Sequence, residues 1–345
     1  MSFRVRPVTA DDFQAIYEMA KLTGGGFTNL PPDRGALVEK LSRSEDAFSR
    51  DGEEPCGDLF MFVLENTKTK QIRGTCQVFS KVGTQQPFYS YRVSTLTQTS
   101  RELGRTFRAE MLTLCTDFEG ASEVGGLFLH PGERAGGLGM LLARSRYLFI
   151  KLHRKRFAEK ILAELRGVID ESGGSPFWDA IAGKFFGMNF QEADEFNAMH
   201  GTQFIADLMP KTPIYTAMLP ESARHVMGVP HPSGRAAMRM LEREGFSYGG
   251  YVDIFDGGPT MSALTDQVRT IRESRPLVLA DLLEDQSDEG PTQGQDCLFA
   301  TGHLRSFAAT CGRLVARADG TALIDRESAH ALSLAPGDHF VAMGR

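Results

Sequence analysis

The sequence predicts an α/β (α+β) fold in which a central mixed sheet is flanked by helices and followed by a small C-terminal β-rich, barrel-like domain. Three observations lead to this prediction. Short apolar strands alternate with helices of amphipathic spacing through residues 1–275. A strand, a glycine-rich turn and a helix follow one another between Val124 and Lys155. Residues 276–345 begin with a polar, non-periodic linker at 284–296 and continue as short strands.

The N-terminal elements follow from alternation and helix capping. Phe3–Val8 alternates as a strand does, and Thr9 then caps a helix that carries Asp11 and Asp12 in its first turn. The three glycines of Gly24–Gly26 exceed what a helix end needs, so this loop either approaches a ligand, moves, or is a flexible connector. Next come a helix at Asp33–Phe48, strands at Leu59–Glu65 and Ile72–Lys81, and a segment at Phe88–Val93 that fits strand or loop.

The stretch from Val124 to Lys155 organises the rest of the chain. Leu127–Leu129 is a short apolar run typical of a strand covered on both faces, and Gly125-Gly126 within it indicates a bulge or a close approach to the backbone. From Leu138 the apolar residues recur at helical spacing. The turn between strand and helix offers free backbone N–H groups at a helix N-terminus, which is an anion-binding arrangement.

The second half repeats a helix–glycine–strand order without a true internal repeat. We predict a strand at Lys160–Asp170, then a helix with Ser175 as N-cap and an apolar stripe running to Phe186. A later helix at Ser233–Glu244 ends at Gly245 and precedes a strand through Tyr251–Phe255. In the C-terminal region the predicted strands are Cys297–Ala300, Ala308–Ala316 and His339–Met343, with a turn at Ala335–Asp338.

Composition excludes several function classes. The 345 residues are 41% hydrophobic and 24% charged, as in ordinary globular proteins, and the net charge of −6 argues against a nucleic-acid-binding face. The five cysteines are scattered with no CxxC or Cys/His cluster, so neither disulfides nor a metal site is predicted. No apolar leader or membrane-length stretch is present, so we expect a cytoplasmic protein.

The glycine-rich turn has a specific spacing. Arg134-x-x-Gly137-x-Gly139 after a strand resembles the pyrophosphate loop of the GNAT acyltransferases, which holds the diphosphate of acyl-coenzyme A. It lacks the three-glycine spacing and the following acidic residue of a dinucleotide fold, and no Gly-Lys-Ser/Thr makes it a Walker loop. Ordinary tight turns use the same residues, so the loop alone is a weak signal.

Longer stretches resemble the arginine N-succinyltransferase family over nearly the whole chain. They are Lys21–Pro31, Tyr89–Val93, Arg166–Asp170, Ser175–Trp178, Phe204–Tyr215, His231-Pro232 and Tyr251–Thr260. The resemblance implies a GNAT-like fold with succinyl-CoA as co-substrate and no permanently bound cofactor. It also implies that the acceptor is the α-amino group of L-arginine and that the products are CoA and N2-succinylarginine, the first step of arginine catabolism by the succinyltransferase pathway.

The resemblance also implies individual roles. Leu127 occupies the position of a succinyl-CoA contact, and His231 that of a proton donor, with Arg134, Gly137 and Gly139 forming the CoA loop. Read without the family, His231 between two prolines fits an exposed turn residue as well as a positioned catalytic group.

The remaining substrate contacts are candidates by chemistry. A guanidinium needs carboxylates, for which Asp170, Asp253 and Asp256 stand near strand ends, although turn roles suit each of them too. The succinyl carboxylate needs a cation, for which Arg92 and Arg166 are candidates.

Two alternatives stay open at this point: a GNAT-like acetyltransferase acting on another amine, and a non-catalytic subunit of a heteromeric transferase. The resemblance implies that some relatives occur as paired, non-identical subunits, so a homo-oligomer and a hetero-oligomer both stay open; the intact loop favours a catalytic subunit.

Overall fold

A continuous sheet of fifteen strands runs through the part of the chain that the computed structural model describes, which is residues 3–23, 29–134, 136–201, 203–283 and 294–345. The predicted glycine-rich loop at Gly24–Gly26 and most of the predicted polar linker lie outside these residues. The sheet is mixed, as predicted: most neighbours are antiparallel, while two pairs of strands are parallel.

The strands divide into those of a main sheet and those of a C-terminal barrel. The main-sheet strands are β1 Phe3–Pro7, β2 Leu59–Asn66, β3 Ile72–Phe79, β4 Ser90–Ser100, β5 Arg105–Cys115, β6 Ser122–Leu129, β7 Lys160–Glu164, β8 Ile214–Tyr215, β9 Ser247–Val252 and β10 Pro259–Leu264. The barrel strands are β11 Arg275–Leu282, β12 Gln295–Thr301, β13 Ala308–Ala316, β14 Thr321–Ile324 and β15 His339–Gly344.

The helices cover both faces of the main sheet and one side of the barrel. They are α1 Phe13–Lys21, α2 Arg34–Ser49, α3 Leu138–Leu152, α4 Pro176–Ala180, α5 Gly183–Phe186, α6 Phe190–His200, α7 Gln203–Leu208, α8 Glu221–Val226, α9 Arg235–Glu244, α10 Arg269–Glu273 and α11 Arg326–Leu332. Within the described residues, none of these helices is long and apolar enough to cross a membrane.

Strand β2 is buried on both faces because its alternate residues pack against different helices. The rings of Phe60 and Phe62 lie 4.9 and 5.0 Å from that of Phe149 on α3. Met61 and Val63 belong to a second cluster formed with α1 and α2. This packing on both sides fixes α3 against the sheet, and with it the turn at its N-terminus.

The segment between β7 and β9 carries α4 to α9 and a second apolar core. Its centre is Trp178, which is fully buried and donates a hydrogen bond from Nε1 to Met188 O at 3.0 Å. Ser175 caps α4 as predicted, with Oγ accepting from Trp178 N at 3.3 Å. The predicted single helix is wrong in its length, because the chain breaks at Ile181 into α4 and α5, and Phe185 at the end of the predicted stripe is 52% exposed.

Two further strand predictions need correction. The strand predicted at Lys160–Asp170 ends at Glu164, because the following backbone turns away: Arg166 O accepts from His231 N at 2.8 Å instead of continuing along β10. The strand predicted at Tyr251–Phe255 is β9, which begins four residues earlier and ends three residues earlier, at Ser247–Val252. The second part of Phe88–Val93 belongs to the long strand β4, which begins at Ser90. Most residues of β4 are polar, so its sequence shows little alternation of apolar and polar residues.

The C-terminal strands close into a barrel in the order β12, β15, β11, β14, β13, with β13 pairing back to β12. Three of them match the predicted strands, whereas β14 and α11 were not predicted. The barrel joins the main sheet through the β1–β13 pair, where Val5 lies opposite Ala309. Thr310 Oγ1 also donates to Phe3 O at 2.7 Å, so the barrel extends the sheet at its β1 edge.

Candidate active site

The main cavity opens where the parallel strands β6 and β7 separate. The two strands pair only at Ser122–Ile161 and Glu123–Leu162, although both continue beyond these residues. The space between them is part of a cavity of about 620 Å³, within the range of small-molecule sites. We define the helical wall as the lining residues of α3 and α9, and the strand-end wall as Glu164, Arg166, Asp253 and Asp256.

The predicted bulge lies on the cavity side of β6. Gln77 of β3 pairs with Gly125, and Thr75, two residues earlier on β3, pairs with Phe128. Two residues of β3 thus correspond to three of β6, so β6 holds one extra residue. Gly126 has a φ of +59°, and a Cβ there would overlap the Gln77 side chain. Gly126 and Leu127 therefore stand outside the regular β3 register, and both line the cavity.

The strand–turn–helix arrangement predicted for the anion loop is present. Gly137 is the N-cap of α3 with a φ of +81°, and Gly139 in the first turn lines the cavity together with Arg134. Arg345 of the barrel reaches this loop and donates from Nη2 to Gly136 O at 2.7 Å. A Cβ on Gly137 would overlap the Arg345 guanidinium, which is the flexible end of an exposed side chain, so it is the positive φ that favours glycine here. The Arg345 guanidinium thus lies at the positive end of α3, and Arg134 lies three residues before its N-cap.

The helical wall carries buried charges that are mostly paired. Arg144 Nε lies 2.6 Å from Glu244 Oε1, and Glu244 Oε2 accepts from Thr270 N at 2.8 Å. Arg144 Nη1 is buried without a hydrogen-bond partner among the described residues. Arg146 is 3% exposed and donates to backbone carbonyls, one of which is Gly125 O of the bulge at 3.4 Å. This wall carries a net positive charge, although Arg144 at its centre is paired with Glu244.

The strand-end wall contains carboxylates held by turns. Asp256 accepts from Gly167 N at 2.7 Å and from Gly258 N at 2.8 Å. Asp253 accepts from Phe255 N and from Asp256 N, at 2.7 and 2.8 Å. These bonds fix both carboxylates at the mouth of the β9–β10 turn, facing the cavity.

The carboxylates of this wall repel one another in a buried setting. Burial and the neighbouring Asp253 charge raise the pKa of Asp256 to about 7, against the backbone hydrogen bonds that lower it. Burial, followed by the charges of Asp253, Glu123 and Asp256, raises the pKa of Glu164 well above its ordinary value. Burial also raises the pKa of Asp253. The only arginine in this wall, as defined above, is Arg166, whose Nε is buried without a partner among the described residues.

Glu123 lies behind the strand-end wall and has a cationic neighbour. Burial raises the pKa of the Glu123 carboxyl to about 7, while the charge of Lys40 lowers it. Burial in turn lowers the pKa of Lys40 to about 8. Lys40 Nζ donates to Asn29 O at 2.9 Å, and Asn29 packs against Gly125 of the bulge.

His231 lies at the rim of the cavity, next to the lining residue Ser233. Its Nδ1 lies 2.7 Å from Ser233 Oγ and 3.3 Å from Ser233 N. Burial, and then the charge of Arg166, lower the pKa of His231 below its ordinary value. The imidazole is therefore mainly neutral at pH 7, and in the tautomer whose Nδ1–H donates to Ser233 Oγ, Nε2 has the free lone pair.

The structure brings some of the predicted residues together and leaves others apart. Leu127, Arg166, Asp253 and Asp256 line the cavity with the anion loop. Arg92 lies on β4 with Nη1 3.3 Å from Asp117 Oδ2, away from that lining.

Asp170 is likewise outside the lining and has a turn role. Its carboxylate accepts hydrogen bonds from Ser172 N and Gly174 N, at 2.9 and 2.8 Å. The hydrogen bond from the Ser172 hydroxyl, followed by the one from Gly174 N, lowers the pKa of Asp170. Its contacts are those of a turn-closing residue rather than of a cavity residue.

Sequence reasoning missed Glu164, Arg144 and Arg146. Glu164 had a detectable signal, because it alternates with the apolar residues Ile161, Ala163 and Leu165 and so lies on the other face of the predicted strand. The two arginines interrupt the apolar pattern of α3 within a stretch that is almost wholly buried. A charge inside an otherwise buried helix is a signal for a paired or ligand-facing group.

Comparisons with known proteins agree along the whole length of the chain. A model of the arginine N-succinyltransferase beta subunit matches residues 3–270, and one of the C-terminal domain of that subunit matches residues 280–344. Arginine N-succinyltransferase of Citrobacter koseri is 42% identical over 306 residues, covering 88% of this chain and 87% of that protein. The protein of the same name from Salmonella paratyphi B is 41% identical over 339 residues, covering 97% and 95%.

A solved structure gives the same result at the level of the fold. Arginine/ornithine succinyltransferase subunit AI from Pseudomonas aeruginosa matches with a TM-score of 0.89 at 30% identity, over 99% of this chain and 98% of that one.

Proposed function

Because the chain belongs to the arginine N-succinyltransferase family, we propose that its main cavity is where succinyl-CoA and arginine meet and react. The chain is an acyltransferase of GNAT-like fold, as predicted, and succinyl-CoA is its co-substrate. The reaction transfers the succinyl group to the α-amino group of L-arginine, giving CoA and N2-succinylarginine, the first step of arginine catabolism by the succinyltransferase pathway.

The observation that carries the assignment to this cavity is the opposite charge of its two walls. Arginines at the anion loop and on the helical wall suit the polyanionic CoA, whereas carboxylates of the strand-end wall suit cationic arginine. The bulge of β6 lies between them, so both substrates reach one place.

CoA binding is assigned to the anion loop and the open edge of β6. The N–H groups at the start of α3, together with Arg134, face the pyrophosphate, and the absence of side chains at Gly137 and Gly139 allows it to approach the backbone. The amide chain of the pantetheine then lies along the gap between β6 and β7. Leu127 borders this gap, and its N–H, outside the β3 register, donates to the thioester oxygen.

The strand-end wall binds two charged groups of the substrates, the guanidinium of arginine and the carboxylate of the succinyl group. Asp253 and Asp256 retain free lone pairs after accepting their backbone bonds, and they bind the guanidinium. Arg166, whose Nε has no partner among the described residues, binds the succinyl carboxylate.

His231 moves a proton in this scheme. As a mainly neutral imidazole it accepts a proton from the amine nitrogen while the C–N bond forms, then gives that proton to the sulfur as the C–S bond breaks. The route passes through Nε2, because Nδ1 is occupied by Ser233.

The C-terminal barrel is part of the same working unit in our proposal, with the boundary near residue 276. Its support is contact: Leu304 N donates to His153 Nε2 at 3.1 Å, and Arg345 reaches the anion loop. The intact loop also favours a catalytic subunit, whether the chain works alone or within a homo- or hetero-oligomer.

A free-thiol assay of CoA release tests this function. We expect rapid release with succinyl-CoA and arginine, and a much lower kcat/KM with acetyl-CoA, because Arg166 would then be left without a partner. Equal use of both donors would support a general acetyltransferase acting on amines. No thiol release from either donor, in a protein that CoA stabilises against heat, would contradict catalysis by this chain alone.

A further inference from the structure

One buried carboxyl group of the cavity has no role in the scheme above. Glu164 is the last residue of β7 and lines the cavity. Its Oε1 is buried and has no hydrogen-bond partner among the described residues. Leaving a buried acceptor unpaired is unfavourable, so a group in this condition needs an explanation in the bound state.

The position of Glu164 along the sheet relates it to the bulge. In the parallel β6–β7 pair, Ser122 lies opposite Ile161 and Glu123 opposite Leu162. The same register carried on by two residues brings Gly125 level with Glu164. Glu164 therefore lies across the opening gap from the bulge, where the proposed function places the thioester.

The other carboxyl groups in this region already have partners. Asp253 and Asp256 each accept two backbone N–H bonds that fix the β9–β10 turn. Glu123 is neighboured by Lys40 and hydrogen-bonded to Asn29. Of this group, only Glu164 combines a position in the cavity lining with a buried oxygen that lacks a partner among the described residues.

We propose that Glu164 accepts the proton of the α-ammonium group of arginine and so generates the amine that attacks succinyl-CoA. This inference rests on the proposed function. The ammonium N–H bond breaks and its proton passes to Oε1 of the ionised carboxylate. The free amine nitrogen then forms the C–N bond, loses its second proton to His231, and the C–S bond breaks as His231 protonates the sulfur. The proton held by Glu164 leaves to water, which balances the reaction.

The charges around Glu164 favour this role. The charged neighbours are three carboxylates from two places, namely Glu123 on β6 and Asp253 and Asp256 on the β9–β10 turn. The nearby cations are Arg166, on the same segment as Glu164, and Lys40 of α2, beside Glu123. Burial and the three negative neighbours raise the affinity of the carboxyl for a proton, and the Thr260 side chain on the paired strand β10 opposes them. The negative charges attract the α-ammonium group of arginine, which then donates its proton to the Glu164 carboxylate.

The test compares Glu164→Gln with the wild type and with Glu159→Gln. Glutamine keeps the size of the side chain but cannot take the proton, and Glu159 is exposed just before the same strand. In the thiol-release assay we expect kcat of Glu164→Gln to fall by about 10²–10⁴-fold with KM for succinyl-CoA unchanged. The residual activity of Glu164→Gln should rise with pH as the substrate ammonium loses its proton in solution, and Glu159→Gln should match the wild type.

The outcomes separate this role from a binding role and from the proposed function itself. A wild-type kcat in Glu164→Gln, or a change confined to KM for arginine with the wild-type pH profile, would overturn the inference. If CoA no longer raises the melting temperature of Glu164→Gln, Glu164→Asp decides: retained activity with the wild-type pH profile supports the proton acceptor, and activity no higher than that of Glu164→Gln overturns it. Failure of the wild type to release thiol would instead reject the proposed function.

Discussion

The helical wall and the strand-end wall of the cavity are both charged and both buried, but they differ in how their carboxyl groups are paired with cations. On the helical wall the Arg144–Glu244 pair is closed at 2.6 Å, and Glu244 is also bonded to the backbone of α10. On the strand-end wall three carboxyl groups crowd around one arginine, and the pKa of Asp256 rises to about 7. On the helical wall the carboxylate has an arginine partner, whereas on the strand-end wall the carboxyl groups outnumber the single arginine.

The difference indicates which charges serve the fold and which serve the ligand. Ionised groups that lose water are stable only with a partner of opposite charge and good geometry. The helical wall provides such a partner within the chain. The strand-end wall is short of positive charge, and a cationic substrate provides it. The predictions below are ordered from the largest expected effect to the smallest.

The largest effect is expected at His231, which lies at the rim beside the strand-end wall. His231→Ala should lower kcat by about 10²–10⁴-fold, because it removes the group that passes a proton from nitrogen to sulfur. The measurement is steady-state thiol release, with CoA binding followed by thermal shift as a check on folding. His225→Ala is the matched control, since His225 is exposed on α8 and pairs only weakly with Glu221 at 3.6 Å. Near-normal turnover in a folded His231→Ala protein would return this residue to a turn role.

Replacing one carboxylate on each wall with a neutral glutamine tests whether the two walls contribute differently to stability. Glu244→Gln leaves Arg144 as a buried charge without its partner, so the free energy of unfolding should fall by about 3–5 kcal/mol. Glu164→Gln removes an uncompensated carboxyl, so at pH 8 the protein should be as stable as the wild type or more so.

The pH dependence of stability gives the direction of the effect expected for Glu164→Gln. The folded-state pKa of Glu164 lies above its unfolded value, so the wild type loses stability as pH rises through that interval, and glutamine does not titrate. Urea unfolding at pH 6 and pH 8 measures both variants. Equal losses for Glu244→Gln and Glu164→Gln at pH 8 would remove the distinction between the two walls.

A smaller effect is expected from the arginine of the strand-end wall. Arg166→Met should reduce the preference for succinyl-CoA over acetyl-CoA by about 10–100-fold, the usual worth of a hydrogen bond to a charged group. Arg92→Met is the matched control, because Arg92 is paired with Asp117 outside the cavity lining. The ratio of kcat/KM for the two donors decides the matter. A preference lost in Arg92→Met and kept in Arg166→Met would reverse the assignment.

Much of the fold could be predicted from the sequence because it depends on local signals. The strand, bulge and capped helix around Gly125 and Gly137 are specified by glycines whose φ is positive or whose neighbours leave no room for a Cβ. Strand ends were harder: Lys160–Asp170 reads as one strand, but tertiary hydrogen bonds from His231 and to Asp256 divert the chain after Glu164.

The candidate site was predictable only where one segment carries it. The anion loop is continuous in sequence, so its spacing could be recognised. The strand-end wall joins the end of β7 to the β9–β10 turn, 89 residues away for the Gly167–Asp256 bond, and only the folded sheet brings them together. The same reason explains why Arg92 and Arg166 were equal candidates in the sequence and are separated by the structure.

The central claim, that the strand-end wall lacks a cation which arginine provides, is tested most directly by calorimetry. Arginine is titrated at pH 7 into the protein holding CoA, in phosphate and in Tris, whose ionisation enthalpies differ. A guanidinium beside Asp256 should lower its pKa from about 7, so that protons are released on binding. Citrulline, which has a neutral urea in place of the guanidinium, is the control ligand. We predict a net proton release for arginine that exceeds the release for citrulline and decreases in Asp256→Asn; equal proton release for the two ligands would contradict the account.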